Sequence, residues 1–165
     1  MNRIPASEGS QKPSAMSPAN LWESETFVGM VEAFLTRCGI TAKRMETIRA
    51  RLGLIDGKVK TLQAIGDTMK LTRERIRQFQ VDVIRTVNLP DNAALLTVFW
   101  DSARKAVKAN NDEMELENLW IVLQYKFRWT DDLPVVVFAQ FLKLNRQFEI
   151  VRPNSRKTIL VRLKK

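Results

Sequence analysis

The spacing of two neighbouring amphipathic segments constrains this chain most, because the connection between them is so short. Apolar residues recur at helical spacing over residues 61–69 and again over residues 73–87, and Pro90 ends the second segment. Three residues, 70–72, separate the two predicted helices, and Thr72 is placed to cap the second one with its hydroxyl. Each helix must bury its apolar stripe, so the short connection forces a steep crossing. The sequence therefore predicts a helix-turn-helix unit.

The remaining segments predict a mostly helical chain with an extended end. Residues 1–20 are rich in Pro and Ser and favour a disordered tail. Periodicity predicts further helices over residues 21–37, 41–52, 92–109, 113–127 and 132–145. Two short extended runs flank the turn Pro153-Asn154-Ser155 and predict a β-hairpin. We expect an all-α fold with a C-terminal β-hairpin, in which residues 91–165 form a helical, winged-helix-like domain.

The net charge of +9 and the isoelectric point near 10.1 favour a polyanionic partner. Residues 40–90 contain eleven Lys and Arg and five Asp and Glu, so their net charge is +6. Residues 151–165 contain six basic residues and no acidic one, so their net charge is also +6. Charge alone is compatible with nucleic acid and with an anionic membrane surface. The chain has no apolar run of the ~18 residues that cross a bilayer, and its start is unlike a secretion signal. We therefore expect a cytoplasmic protein without a membrane partner.

The absence of histidine excludes a Ser-His-Asp triad, a Cys-His pair and histidine metal ligands. The single cysteine, Cys38, cannot form an internal disulfide or a thiolate metal site, and we interpret it as a small buried hydrophobe. We expect no cofactor and no catalysis. A carboxylate-metal nuclease survives this exclusion, because it needs only Asp and Glu side chains around a hard cation. Its candidate ligands would be Asp112, Glu113, Glu115, Glu117, Asp131 and Asp132. We interpret Asp131 and Asp132 instead as first-turn carboxylates of the helix predicted from residue 132.

The run Thr72-Arg73-Glu74-Arg75-Ile76-Arg77-Gln78 carries a family resemblance. It resembles region 4 of the primary-type bacterial sigma factors, whose pattern is Thr-Leu-x-x-Ile-Gly, a turn, and then Ser/Thr-Arg-Glu-Arg-Val/Ile-Arg-Gln-Ile. Thr61-Leu62 and Ile65-Gly66 match the first part, and the seven-residue run agrees at every position. The resemblance covers residues 40–88. It implies that residues 21–90 form a sigma region 4-like helix-turn-helix domain.

In that family the second helix of the unit enters the major groove of promoter DNA. The resemblance implies that four polar residues at its start read base edges: Arg73, Glu74, Arg77 and Gln78. Their chemistry agrees, since Arg pairs with guanine, Gln with adenine and Glu with the cytosine amine. Thr72 and Arg75 would lie nearer the phosphates, and Thr61 would direct the first helix toward a phosphate. Arg156 and Lys157 would project from the hairpin tip and contact further phosphates.

Two departures from the family pattern bear on function. Lys70 occupies the turn position that is often glycine, and a left-handed backbone there would cost ~1 kcal/mol. Phe79, Gln80 and Val81 also replace the usual Ile, Glu and Ala, which changes packing more than readout. No segment resembles the aromatic-rich sigma region that grips core polymerase and melts promoter DNA. This absence favours a regulator or an accessory protein over a complete sigma factor.

We therefore expect sequence-preferring binding of duplex DNA in transcription regulation, with the protein associated with the nucleoid. Two alternatives stay open. The sigma-like helices could form a protein-interaction module that docks on RNA polymerase or another partner. The chain could also be the DNA-targeting part of a larger nuclease or defence system.

Overall fold

The computed structural model describes residues 21–153 and 157–164, which contain eight α-helices and three short β-strands. The predicted tail at residues 1–20 lies outside the described residues. The helices are α1 (Phe27–Arg37), α2 (Ala42–Leu52), α3 (Leu62–Met69), α4 (Arg73–Val87), α5 (Pro90–Ala94), α6 (Thr97–Ala109), α7 (Leu116–Phe127) and α8 (Val135–Leu142). The strands are β1 (Glu113–Glu115), β2 (Phe148–Val151) and β3 (Leu160–Leu163). No helix in the described residues is long and apolar enough to cross a membrane.

Four predicted helices have different bounds in the structure. The first begins at Phe27, because the Thr26 hydroxyl caps it by accepting the Gly29 N–H at 3.0 Å. The helix predicted over residues 92–109 divides into α5 and α6, and the one predicted from residue 113 begins with β1. The helix predicted from residue 132 begins only at Val135, because Pro134 disfavours helical backbone in the residue before it.

The interpretation of Asp131 and Asp132 as first-turn carboxylates is wrong, because α8 begins only at Val135 and has no acidic residue in its first turn. Asp131 instead contacts a different helix. Its carboxylate accepts hydrogen bonds from the Phe27 N–H at 2.9 Å and the Val28 N–H at 3.0 Å, at the start of α1 rather than of α8. The interaction still places a negative charge at the positive end of a helix dipole. It also ties the loop between α7 and α8 to the first helix of the described chain.

The predicted β-hairpin is confirmed, and it gains a third strand. Strand β3 lies between β1 and β2 and pairs with both in antiparallel orientation, with Met114 and Ile150 each opposite Val161. The described residues are therefore mostly helical and contain one small antiparallel sheet. From residue 97 onward the element order is helix, strand, two helices and two strands. The winged-helix interpretation of this part stays a prediction.

One large hydrophobic core runs through α1, α2, the end of α4, α6, α7, α8 and the sheet. Phe27 of α1 lies at its centre, with its ring edge-on to those of Trp120, Phe138 and Phe141 at centroid distances of 5.2–5.8 Å. Residues on both sides of residue 90 thus share this core. The division into two domains at that point stays a prediction.

Candidate nucleic-acid interface

The turn between α3 and α4 is built by a close backbone approach. Lys70 ends α3 in the left-handed conformation with φ 56° and ψ 43°, and the Leu71 N–H donates to the Gly66 carbonyl at 2.9 Å. A Cβ atom on residue 66 would lie 2.7 Å from the Leu71 carbonyl oxygen, so only glycine fits there without a shift. Lys70 thus adopts the left-handed backbone that glycine often supplies at this position. The helix-turn-helix unit therefore tolerates backbone strain at Lys70 and requires glycine at Gly66.

Two separate apolar clusters hold α4 in place. Ile76 and Phe79 in its first half pack with Ile65 of α3 in a small cluster, and Val83 and Val87 in its second half belong to the main core. The opposite side of α4 is exposed. The helix is thus anchored along its length on one side and presents mostly polar side chains on the other, with Val81 40% exposed among them.

The four predicted base readers are all exposed on α4: Arg73, Glu74, Arg77 and Gln78. Glu74 and Arg77 form a two-bond ion pair, in which Nε and Nη2 of Arg77 donate to the two carboxylate oxygens at 2.8 Å each. Hydrogen bonding to Arg77 lowers the pKa of Glu74, and the same contact raises the pKa of Arg77. In this arrangement the Nη1 donors of Arg77 do not contact the carboxylate and stay available to another acceptor.

Arg75 lies to one side of this face. Its guanidinium carbon is 4.7 Å from the centroid of the Phe79 ring, and its Nη1 donates to Oε1 of Gln78 at 3.1 Å. Arg44 of α2 approaches the same ring at 5.6 Å and pairs with Asp82 at 2.9 Å. Lys43 and Arg44 line the same surface concavity as Arg75.

Sequence reasoning missed Lys43 and Arg44. The available signal was local: two cations lie in the first turn of α2, two and three residues after its N-cap residue Thr41. Their relation to Arg75 arises only because α2 packs against α4. Because of this packing, basic side chains of α2 and α4 line one common surface.

Thr61 and Thr72 occupy the positions predicted for them, each at a helix start. The Thr61 hydroxyl accepts the Ala64 N–H at 3.1 Å, and the Thr72 hydroxyl accepts the Arg75 N–H at 3.2 Å. The predicted capping by Thr72 is therefore confirmed. Both residues are exposed, so the two helix N-termini are accessible from outside.

The helix that precedes the β-hairpin is not available as a second reading helix. Five of the eight residues of α8 are buried in the main core: Val137, Phe138, Ala139, Phe141 and Leu142. A helix covered in this way cannot place side chains in a groove. Base reading by a helix-turn-helix in the described chain therefore depends on α4.

The basic C-terminal segment is only partly described. Lys157 is exposed in the connection between β2 and β3, and Arg156 lies outside the described residues. Arg162 on β3 forms an ion pair with Glu113, the residue opposite it on β1. Arg152 and Lys164 are exposed beside the sheet. This segment presents cations at the surface without a fixed base-reading element.

The carboxylates considered as metal ligands do not converge in the described part of the chain. No group of three or more His, Cys, Asp or Glu side chains among residues 21–153 and 157–164 is arranged to hold a metal ion. Asp131 faces the start of α1, and Glu113 pairs with Arg162. Both carboxylates thus have structural partners.

Comparison with known proteins finds sigma factors. Over 57 residues, or 34% of this chain, the sequence is 37% identical to the RNA polymerase sigma factor SigA1 of Synechococcus elongatus. It has the same identity over the same length to the SigA proteins of Microcystis aeruginosa and Synechocystis. The resemblance to sigma factors is confirmed. This chain spans only 13–14% of the length of these three relatives. No protein-family model matches the chain, and no solved structure matches it.

Proposed function

We propose that this protein binds duplex DNA with a sequence preference and acts in transcription regulation, without catalysing a reaction. The observation that carries the proposal is the exposed polar face of α4, on a helix-turn-helix whose sequence is similar to that of sigma factors. Insertion of α4 into the major groove would bring its first two turns to the base edges. The exposed start of α2, which lies beside Arg75 of α4, would then face the sugar-phosphate backbone.

Within this proposal, Arg77 and Gln78 read bases. The Glu74 carboxylate holds Arg77 so that its outer donors can contact O6 and N7 of guanine. Gln78 can form two hydrogen bonds with adenine once its oxygen releases Arg75. Arg73 and Glu74 complete the reading face, and a carboxylate lone pair of Glu74 remains for a cytosine amine.

Phosphate contacts come from the residues around this face. Arg75, Arg44 and Lys43 form one basic edge, and the N-termini of α3 and α4 at Thr61 and Thr72 offer helix-dipole contacts. In the winged-helix interpretation Arg156 and Lys157 add contacts from the hairpin connection. These interactions supply affinity and salt dependence but carry no sequence information.

RNA polymerase is the second proposed partner. The curated relatives are RNA polymerase sigma factors by name, and the resemblance that this chain's sequence shows to such factors lies over residues 40–88, which include the helix-turn-helix. In this second function the sigma-like helices would dock on polymerase, and free duplex DNA would not bind. Salt-dependent binding to duplex DNA in the absence of polymerase separates the two functions.

The decisive experiment is selection of bound duplexes from a random pool by the full chain, with and without core RNA polymerase. We expect a preferred site without polymerase, and Arg77→Ala and Gln78→Ala each to reduce discrimination at particular base pairs by ~1–3 kcal/mol. Because Arg75 contacts Gln78, Arg75→Ala affects affinity and readout together. Lys43→Ala is the cleaner phosphate variant and should weaken binding to all sequences alike. Equal losses on selected and random duplexes for every variant would contradict base reading.

A further inference from the structure

One apolar side chain lies within the polar face of α4. Val81 is 40% exposed, and it belongs to neither of the two apolar clusters that hold α4 in place. It follows Arg77 by four residues and Gln78 by three, so it lies one helical turn beyond them on the same side of the helix. Val81 therefore continues the proposed reading face toward the C-terminal end of α4.

The stability of α4 gives no reason for a valine at this position. A β-branched residue is a poorer helix former than alanine, because the helix restricts its side-chain rotamers. Packing does not offset this loss, since Val81 contributes to neither apolar cluster. A single exposed hydrophobic residue is ordinary on most protein surfaces. This one lies among the residues that we propose contact bases, where an apolar side chain has a specific use.

The surroundings of Val81 favour the approach of a polyanion. Two arginines, Arg85 and Arg146, line the same surface concavity as Val81. Asp82, the carboxylate next to it in the sequence, pairs with Arg44 of α2 at 2.9 Å. The neighbouring negative charge is therefore compensated within the protein, and cations remain beside Val81 to attract phosphates.

We propose that Val81 contacts the 5-methyl group of a thymine in the major groove and so selects thymine at one position of the DNA site. The inference rests on the proposed function, since it requires α4 to lie in the major groove. Thymine differs from the other three bases in presenting a methyl group there, and apolar side chains recognise that group. One turn advances about 5 Å along α4, and base pairs are spaced about 3.4 Å apart. The thymine thus lies one or two base pairs beyond those that Arg77 and Gln78 read.

Removal of the thymine methyl group tests the contact directly. The full chain first selects its site from random duplexes without polymerase, and each dT of that site is then replaced by dU, which deletes the methyl group and keeps the base pairing. Burial of one methyl group contributes about fourfold to affinity, so dU at the position facing Val81 should weaken binding of the parent about fourfold. Val81→Ala should bind the thymine duplex about three- to tenfold more weakly and should not respond to dU at that position. Its salt dependence should equal that of the parent, because no phosphate contact is lost.

Val98→Ala is the matched control, because Val98 is 53% exposed on α6, outside the helix-turn-helix. It should bind every duplex as the parent does. Urea denaturation should show Val81→Ala to be at least as stable as the parent, since alanine is the better helix former, so weaker binding does not reflect unfolding. The proposal is overturned if no dU replacement weakens the parent, if Val81→Ala responds to every replacement as the parent does, or if Val98→Ala has the same effect. Failure to select any site contradicts the proposed function itself and is distinguishable from these outcomes.

Discussion

Gly66→Ala tests whether the close backbone approach in the turn sets the geometry of the helix-turn-helix. The added Cβ would lie 2.7 Å from the Leu71 carbonyl oxygen, well inside van der Waals contact. That oxygen cannot move freely, because the Leu71 N–H is bonded to residue 66 and the next residue, Thr72, caps α4. The substitution therefore has to push α3 away from the turn.

Two effects of opposite sign determine how much Gly66→Ala changes the free energy of unfolding. Alanine in a helix interior is more favourable than glycine by roughly 0.5–1 kcal/mol. Overpacking against a backbone atom costs typically about 1–3 kcal/mol. The small cluster of Ile65, Ile76 and Phe79 lies directly on this turn and loses contacts if α3 moves. We expect the free energy of unfolding to fall by about 1–2 kcal/mol, and DNA affinity to fall with it.

Urea denaturation followed by circular dichroism measures the change. Thr68→Ala, on the exposed side of the same helix, is the matched control and should leave the urea midpoint unchanged or slightly raised, because alanine has the higher helix propensity. Lys70→Gly should raise the free energy of unfolding by up to about 1 kcal/mol. Glycine adopts the left-handed backbone at φ 56° without the strain that lysine has there. A Gly66→Ala protein as stable as the parent would refute the close-approach argument.

Three further predictions follow from other parts of the structure. Asp131→Ala removes two hydrogen bonds to the start of α1 and should lower the free energy of unfolding by about 1–2 kcal/mol in urea, whereas Asp132→Ala, at an exposed neighbour, should not. Replacing Arg156 and Lys157 by glutamate should weaken binding to every duplex and make the salt dependence shallower, with the preferred site unchanged; parent-like binding excludes these residues as phosphate contacts. Burial raises the pKa of Cys38 to about 12, so iodoacetamide should label it at pH 8 far more slowly in native protein than in urea. The unfolded thiol ionises first, so stability should decline as the pH rises from about 9 toward 12.

The helix-turn-helix was predictable because its signals are local. The apolar spacing of residues 61–87, the three-residue connection and the capping Thr72 all act within a few residues of one another. The exposure of Arg77 and Gln78 follows from the same periodicity, since the buried residues of α4 occupy its other side. The β-hairpin was also predictable from two short extended runs around a turn.

Other features depend on partners that are distant in the chain. Asp131 binds the start of α1 across 104 residues, and Glu113 to Glu115 form a strand only because β3 offers an unpaired edge. A short segment has no intrinsic signal for such a partner, since the favourable free energy arises from the contact itself. The burial of α8 and the position of Lys43 and Arg44 beside Arg75 have the same origin, in the packing of helices on α2 and α4. The sequence by itself thus determined α4, the helix that we propose reads DNA, and the tertiary structure decided which other helices and cations accompany it.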